Sequence, residues 1–221
     1  MKETLTQLPT STAWLLHVST DIVIFSIQND SLCVLLRQRY SETLNKNDWA
    51  LPGGYIRPTE PLEQCALRTL IQQTGIREVY LEQLYTFGRP DRHPRSRVVT
   101  VSYLALMPAH RSKDIIDSPN IRWHDLAGLP DLYLDHVDII RIARHRLVSK
   151  LDYSTIAFQL LPESFTLSEL QHIHETASGD TLDKRNFRKR ILALEYIEET
   201  GKYRKNCSHR PARLYRNTGL A

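Results

Sequence analysis

The chain has 221 residues, 41% of them apolar and 24% charged, with a formal net charge of +4. That is an ordinary soluble composition, long enough for one large domain or two modest ones. The longest apolar run, residues 98–107, is too short to cross a membrane. Three widely spaced cysteines argue against a disulfide framework, and no signal peptide is evident, so a cytoplasmic protein is expected.

Residues 22–27 (IVIFSI) and 33–36 (CVLL) predict two strands joined by a polar turn at Asn29-Asp30. Residues 49–56 hold a Leu-Pro-Gly-Gly turn. A helix is predicted to open at Thr59 or Glu60, with Pro61 in its first turn, where a missing N–H is tolerated. Leu62, Ala66 and Leu70 mark its buried side, and Gly75 is a suitable C-cap. Strands follow over 79–86, 98–106 and 121–123, then a helix from Asp135 or His136 to about Lys150. A boundary near residues 151–155 gives a first domain over 1–152 and a second over 153–221. In the second, Thr166-Leu-Ser-Glu169 forms a capping box for a helix carrying Leu167, Leu170 and Ile173. Ser178-Gly179 ends that helix. Asp183 caps the next one, which is expected to run to roughly Thr200 or slightly less. The basic stretch 202–216 ends in a strand over 212–215. Helix, short turn, helix and basic hairpin is the layout of a winged helix-turn-helix.

Charge is unevenly placed. Residues 151–180 hold five acids and no Lys or Arg, whereas residues 181–221 hold eleven Lys or Arg and four acids. A basic block of this kind suits nucleic acid or an acidic membrane. On a helical wheel Phe187, Ile191 and Leu194 share one face, while Arg185 and Lys189 point the other way, flanked by Arg188 and Asn186. Arg and Asn can read guanine and adenine edges, and Lys more often neutralises phosphate. With Lys184 they make the predicted DNA-reading set, joined from the hairpin by Lys202, Arg204, Arg210 and Arg213. His172 and His174 lie two apart on different helix faces, so a packing role is expected rather than metal binding.

The stretch 86–99 (TFGRPDRHPRSRVV) carries Arg89, Arg92, Arg95 and Arg97. Such a loop could clamp a pyrophosphate through bidentate hydrogen bonds. Phe87 beside it, Gly54, and Arg37 and Arg39 at the end of an early strand complete the predicted ligand set. Trp49 is expected to be a core aromatic.

Residues 54–76 (GYIRPTEPLEQCALRTLIQQTGI) keep a recognisable spacing: Gly54, Glu60, Arg68, Leu70, Gly75 and Ile76. This resembles the Nudix box of enzymes that hydrolyse nucleoside diphosphates linked to another moiety. Three Glu positions of that box are Thr69, Gln72 and Gln73 here. At i, i+3, i+4 they share a helix face, which in the enzymes is a carboxylate cluster holding divalent metal. Neutral side chains there predict binding without hydrolysis, with no metal and no cofactor.

The whole chain beyond about residue 15 resembles the Nudix-related transcriptional regulators of NAD metabolism, the NrtR type. The first half does so at Leu51-Pro-Gly-Gly54, Phe87-Gly88, Asp91-Arg-His-Pro-Arg95 and Asp135-His136, and the second at residues 165–171, 182–188 and 210–215. The loop departs from the usual pattern at His93 and Ser96, where the family has Asp and Gly. The resemblance implies an α/β Nudix fold, a mixed sheet between helices, plus a C-terminal winged helix domain. It also implies a homodimer on a palindromic double-stranded DNA operator, repression of NAD synthesis or salvage genes, and ADP-ribose or a related nucleotide as effector. Two alternatives stay open: an ADP-ribose hydrolase of the Nudix type, and a sugar-responsive regulator of the same superfamily.

Overall fold

The computed structural model describes residues 16–41, 46–151, 153–204 and 211–219. Arg210 and the expected boundary residue Asp152 lie outside them.

Strands β1 (Leu16–Gln28) and β2 (Ser31–Ser41) form an antiparallel hairpin. Asn29 and Asp30 turn it with φ of 48° and 62°. Two successive left-handed residues make the turn whose twist matches the flanking strands, and Asn and Asp tolerate that backbone best among non-glycines. Strands β3 (Lys46–Ala50) and β4 (Gly53–Tyr55) flank the Pro-Gly turn, followed by β5 (Tyr80–Phe87), β6 (Arg97–Leu106) and β7 (Ile121–Asp125). The sheet order is β3-β2-β1-β6-β5, with β4 also on β1 and β7 on β2. β1 and β6 run parallel and the other pairs antiparallel, so the sheet is mixed.

Alternation along β1 divides the core between two layers. Ile22 and Ile24 face helix α1 (Leu62–Thr74), where Ala66 and Leu70 meet them. Val23 and Phe25 face helix α2 (His136–Leu151), meeting Ile139, Ile140, Ala143 and Leu147. Both faces of β1 are thus covered, which explains its nearly continuous apolar run. α1 starts after Pro61 rather than at Thr59 or Glu60. The Glu60 carboxylate accepts from the Arg57 N–H and pairs with Arg68, so it closes the preceding turn instead of the helix. Gly75 ends α1 at φ 77°, as its sequence position predicts.

The second unit contains a 3-10 turn (Thr155–Leu160), α3 (Leu167–Ser178), α4 (Lys184–Leu192) and a two-stranded wing, β8 (Ile197–Tyr203) with β9 (Arg213–Asn217). The Thr166–Glu169 capping box is complete, and Gly179 ends α3 at φ 85°. α4 stops at Leu192, well short of Thr200, because Ile197 to Glu199 are taken by pairing with β9. The wing is tied back by Phe165 and Tyr215, which exchange backbone hydrogen bonds at 3.0 and 2.7 Å. One apolar cluster runs from Phe25 and Leu104 through α2 to Leu170, Phe187 and Tyr215, so the two units share a core. His172 Nε2 on α3 lies 3.1 Å from Asp30 at the β1–β2 turn. No described helix is long and apolar enough to cross a membrane.

Candidate ligand cleft and nucleic-acid interface

A cleft of about 490 Å³ opens where β1, β2, β4 and the start of α2 meet, a size usual for small-molecule sites. Of the predicted ligand residues, Arg37, Arg39, Gly54 and Arg92 line it, whereas Phe87, Arg89, Arg95 and Arg97 do not. Phe87 packs edge-on against Tyr85. Arg89 is exposed and paired with Asp91, and Arg97 donates to the Arg89 carbonyl. Arg95 is exposed beside His93, to whose Nδ1 its backbone N–H donates.

Arg92 is held from below. Its guanidinium gives Asp135 two hydrogen bonds, at 2.7 and 2.9 Å, and lies 3.7 Å from Asp21. The sequence reading placed neither acid in the site, although Asp135 stands in its Asp135-His136 match. The signal for Asp21 was an acid directly before the apolar run 22–27; it lies within the buried part of β1, where an unpaired charge is costly. His136 completes this floor. Its Nδ1 accepts from the Leu51 N–H at 2.9 Å, which leaves Nε2 to carry the proton, 3.8 Å from Asp21. Burial pushes its pKa down, consistent with a neutral ring.

Arg37 and Arg39 differ from Arg92. They sit two residues apart on β2 and reach the same cleft, with no carboxylate partner among the described residues. Arg39 lies 3.9 Å above the Tyr133 ring. Burial and the neighbouring Arg39 both push the Arg37 pKa down, and His93 is pushed down by burial and by the surrounding guanidiniums. These are sites of unbalanced positive charge, which an anionic ligand would relieve.

The degenerate box occupies the adjoining face of α1. Thr69 is buried and donates to the Cys65 carbonyl at 2.7 Å. Gln72 accepts from Arg68 at 3.4 Å. Gln73 uses both ends of its amide on Gly53, accepting from the N–H at 3.1 Å and donating to the carbonyl at 2.8 Å. Gly53 leaves no room for a side chain, since a Cβ would come within 2.3 Å of Asp21 Oδ1. Glu60 remains, but Arg68 holds it on two hydrogen bonds and its pKa at about 2. Among the described residues no group of three or more His, Cys, Asp or Glu is placed to hold a metal. Magnesium requires charged oxygen ligands, and three neutral side chains already engaged with protein groups do not fit it. Gln73→Glu cannot donate to the Gly53 carbonyl, so it is expected to lower stability by about 1–3 kcal/mol, measured by urea unfolding. A stability gain would show that the amide pair does not hold this turn.

The second surface lies on α4. Phe187 and Ile191 are buried, fixing the helix to α3. Asp183 caps it, accepting from the Asn186 N–H at 2.8 Å. The turn between the helices is clamped from α3: Gln171 donates to the Leu182 carbonyl and Glu175 accepts from the Leu182 N–H. Lys184, Arg185, Asn186, Arg188 and Lys189 are all exposed, and none of the four cations has an acid partner among the described residues. In the wing Lys202 is exposed, Arg213 pairs with Glu199 at 2.9 Å, and Arg204 binds both Glu169 oxygens at 2.5 Å. Arg204 therefore backs the α3 capping box. Trp49 packs edge-on against His124, away from the cleft lining.

Residues 15–142 match the NUDIX domain family, and residues 157–217 match the NrtR DNA-binding winged helix domain. The chain is 39% identical over 204 residues to the ADPR responsive transcriptional repressor NtrR of Acinetobacter baylyi, covering 90% of this chain and 81% of that one. It superposes with a TM-score of 0.82 on the crystal structure of Shewanella oneidensis NrtR complexed with a 27mer DNA, at 37% identity, covering 90% and 93% of the two chains. The NUDIX domain of the same protein complexed with ADP ribose matches 62% of this chain and 90% of its own, at 35% identity and a TM-score of 0.50. With a Nudix domain and an NrtR winged helix in one chain, matched along nearly its full length, this protein belongs to the NrtR family of Nudix-related regulators.

Proposed function

We propose that this chain is a DNA-binding transcriptional repressor of NAD synthesis or salvage genes, whose Nudix domain binds ADP-ribose or a related pyrophosphate nucleotide without hydrolysing it. The observation that carries the reading is the exposed face of α4, where Lys184, Arg185, Arg188 and Lys189 have no acid partner among the described residues, on a helix locked by Phe187 and Ile191. That is what a groove-reading helix requires: a fixed apolar side, and donors aimed outward. A homodimer would set two such helices about one turn of duplex apart, roughly 34–36 Å, on a palindromic operator. Lys202 and Arg213, with Arg210 next to the wing in sequence, are the proposed backbone contacts.

In the cleft, Arg37 and Arg39 are the proposed pyrophosphate clamp, with Gly54 and Tyr133 beside them. Arg92 acts through the floor that it shares with Asp135. The cleft and the DNA-binding unit are joined by α2, whose first residue His136 lines the cleft and whose later turns pack on α3. Leu134, also in the lining, holds a φ of 49° that costs a branched residue energy. A ligand that changes this strained entry to α2 would change where α3 and α4 sit in the dimer. The non-hydrolytic part of the reading rests on Thr69, Gln72 and Gln73.

A gel-shift titration on the duplex upstream of its own gene tests the proposal. Arg185→Ala is expected to weaken that complex by about 1–3 kcal/mol and to relax its sequence preference. Lys189→Ala should weaken own-site and random duplexes alike. Failure of the wild type to prefer its own upstream duplex would remove the regulator reading. Metal-dependent breakdown of ADP-ribose at roughly 1 per second or faster would restore the hydrolase reading.

A further inference from the structure

The cations of the winged helix fall into two groups that composition does not distinguish. Lys184, Arg185, Arg188 and Lys189 on α4 have no acid partner among the described residues, and neither has Lys202 of the wing. Each described guanidinium of the wing, by contrast, faces a carboxylate. Arg216 gives Glu198 Oε2 two hydrogen bonds, at 2.8 and 3.2 Å, across the β8–β9 ladder. Arg213 gives Glu199 Oε2 one at 2.9 Å. Arg204, at the end of β8, is bound to Glu169. Glu198 and Arg216 are register partners, so the ladder itself brings them together. All four residues of the two outer pairs are exposed, so the pairs contribute little to stability. Their effect lies on what approaches the wing.

A phosphate meeting Arg213 or Arg216 must displace a carboxylate already hydrogen-bonded there, and approaches a like charge as it does so. When the duplex is held only loosely, the carboxylate keeps its place. Once α4 is seated in the groove, the neighbouring phosphates are fixed beside the wing at high effective concentration, and the exchange becomes favourable. We propose that Glu198 and Glu199 are specificity-determining residues. They make the wing's backbone contacts conditional on correct docking of α4, and so suppress binding to random sequence. The proposal rests on the DNA-binding reading above.

The test is fluorescence anisotropy over a range of salt, with random-sequence duplex and with the duplex upstream of its own gene. The proteins are the wild type, the double variant Glu198→Gln with Glu199→Gln, and a quadruple variant adding Arg213→Ala and Arg216→Ala. In the double variant, the salt slope on random duplex is expected to steepen by about 0.9 for each guanidinium released to a phosphate, which at 0.1 M salt is a gain in affinity of about tenfold or more. The upstream duplex should gain less, so the ratio between the two falls. The quadruple variant should lose the gain, which assigns it to the released guanidiniums rather than to lost repulsion. An unchanged slope on random duplex, equal gains on both duplexes, or weaker binding by the double variant would each overturn the proposal. If neither duplex is preferred by the wild type, the DNA-binding reading fails first and this one with it. These substitutions are at exposed positions, and unchanged thermal unfolding would confirm that the wing still folds.

Discussion

Arg92→Ala is expected to lower stability by about 3–5 kcal/mol, the usual result of removing one member of a buried ion pair. The Arg92 side chain is 3% exposed, and the acids it serves, Asp135 and Asp21, are 17% and 11% exposed. Without the guanidinium the two acids face each other and the neutral His136 with no positive charge between them. Urea unfolding of the variant should show the loss as a lower midpoint at an unchanged slope. Arg92→Lys keeps the charge but not the bidentate geometry, so it should fall between. If Arg92→Ala unfolds within about 0.5 kcal/mol of the wild type, as a neutral surface change would, the floor does not depend on this network.

The paired substitution Arg37→Ala with Arg39→Ala should have the opposite profile. Hydrogen bonds to charged groups contribute about 1.5–3 kcal/mol each, so ADP-ribose affinity should fall by at least roughly 100-fold. Stability should hold or rise slightly, because neither guanidinium has a carboxylate partner among the described residues and burial and the Arg39 charge already lower the Arg37 pKa. Calorimetry with ADP-ribose measures the first effect and urea unfolding the second. Undiminished binding by the double variant would show that the pyrophosphate sits elsewhere.

These two predictions mark the limit of what was legible in the chain. Local rules carried far: the Thr166–Glu169 capping box, the glycines ending α1 and α3, and the apolar run of β1 all depend on neighbours within a few residues, and all are present. The α4 wheel was legible for the same reason. Arg92 was not, because its role is set by Asp135, 43 positions away, and by Asp21 on another strand. Four arginines in one loop look equivalent in sequence; folding sends one inward and leaves Arg89, Arg95 and Arg97 outside the cleft lining. The end of α4 was misplaced because Leu194, Tyr196 and Ile197 suit a helix or a strand equally well, and pairing with β9 decides between them. The masking of the wing arginines also depends on that register, since Glu198 and Arg216 are brought opposite each other only by the ladder.

Control of DNA binding from the cleft is tested most directly by one titration: the protein against the duplex upstream of its own gene, without metal, in the presence and absence of ADP-ribose, for the wild type and for the Arg37→Ala, Arg39→Ala double variant. ADP-ribose is expected to weaken the wild-type complex by about 5–150-fold, the range of an ordinary coupling between sites. It should leave the double variant's complex unchanged, although that variant binds the duplex as tightly as the wild type. A specific wild-type complex indifferent to ADP-ribose, or one released equally well in the double variant, would contradict it.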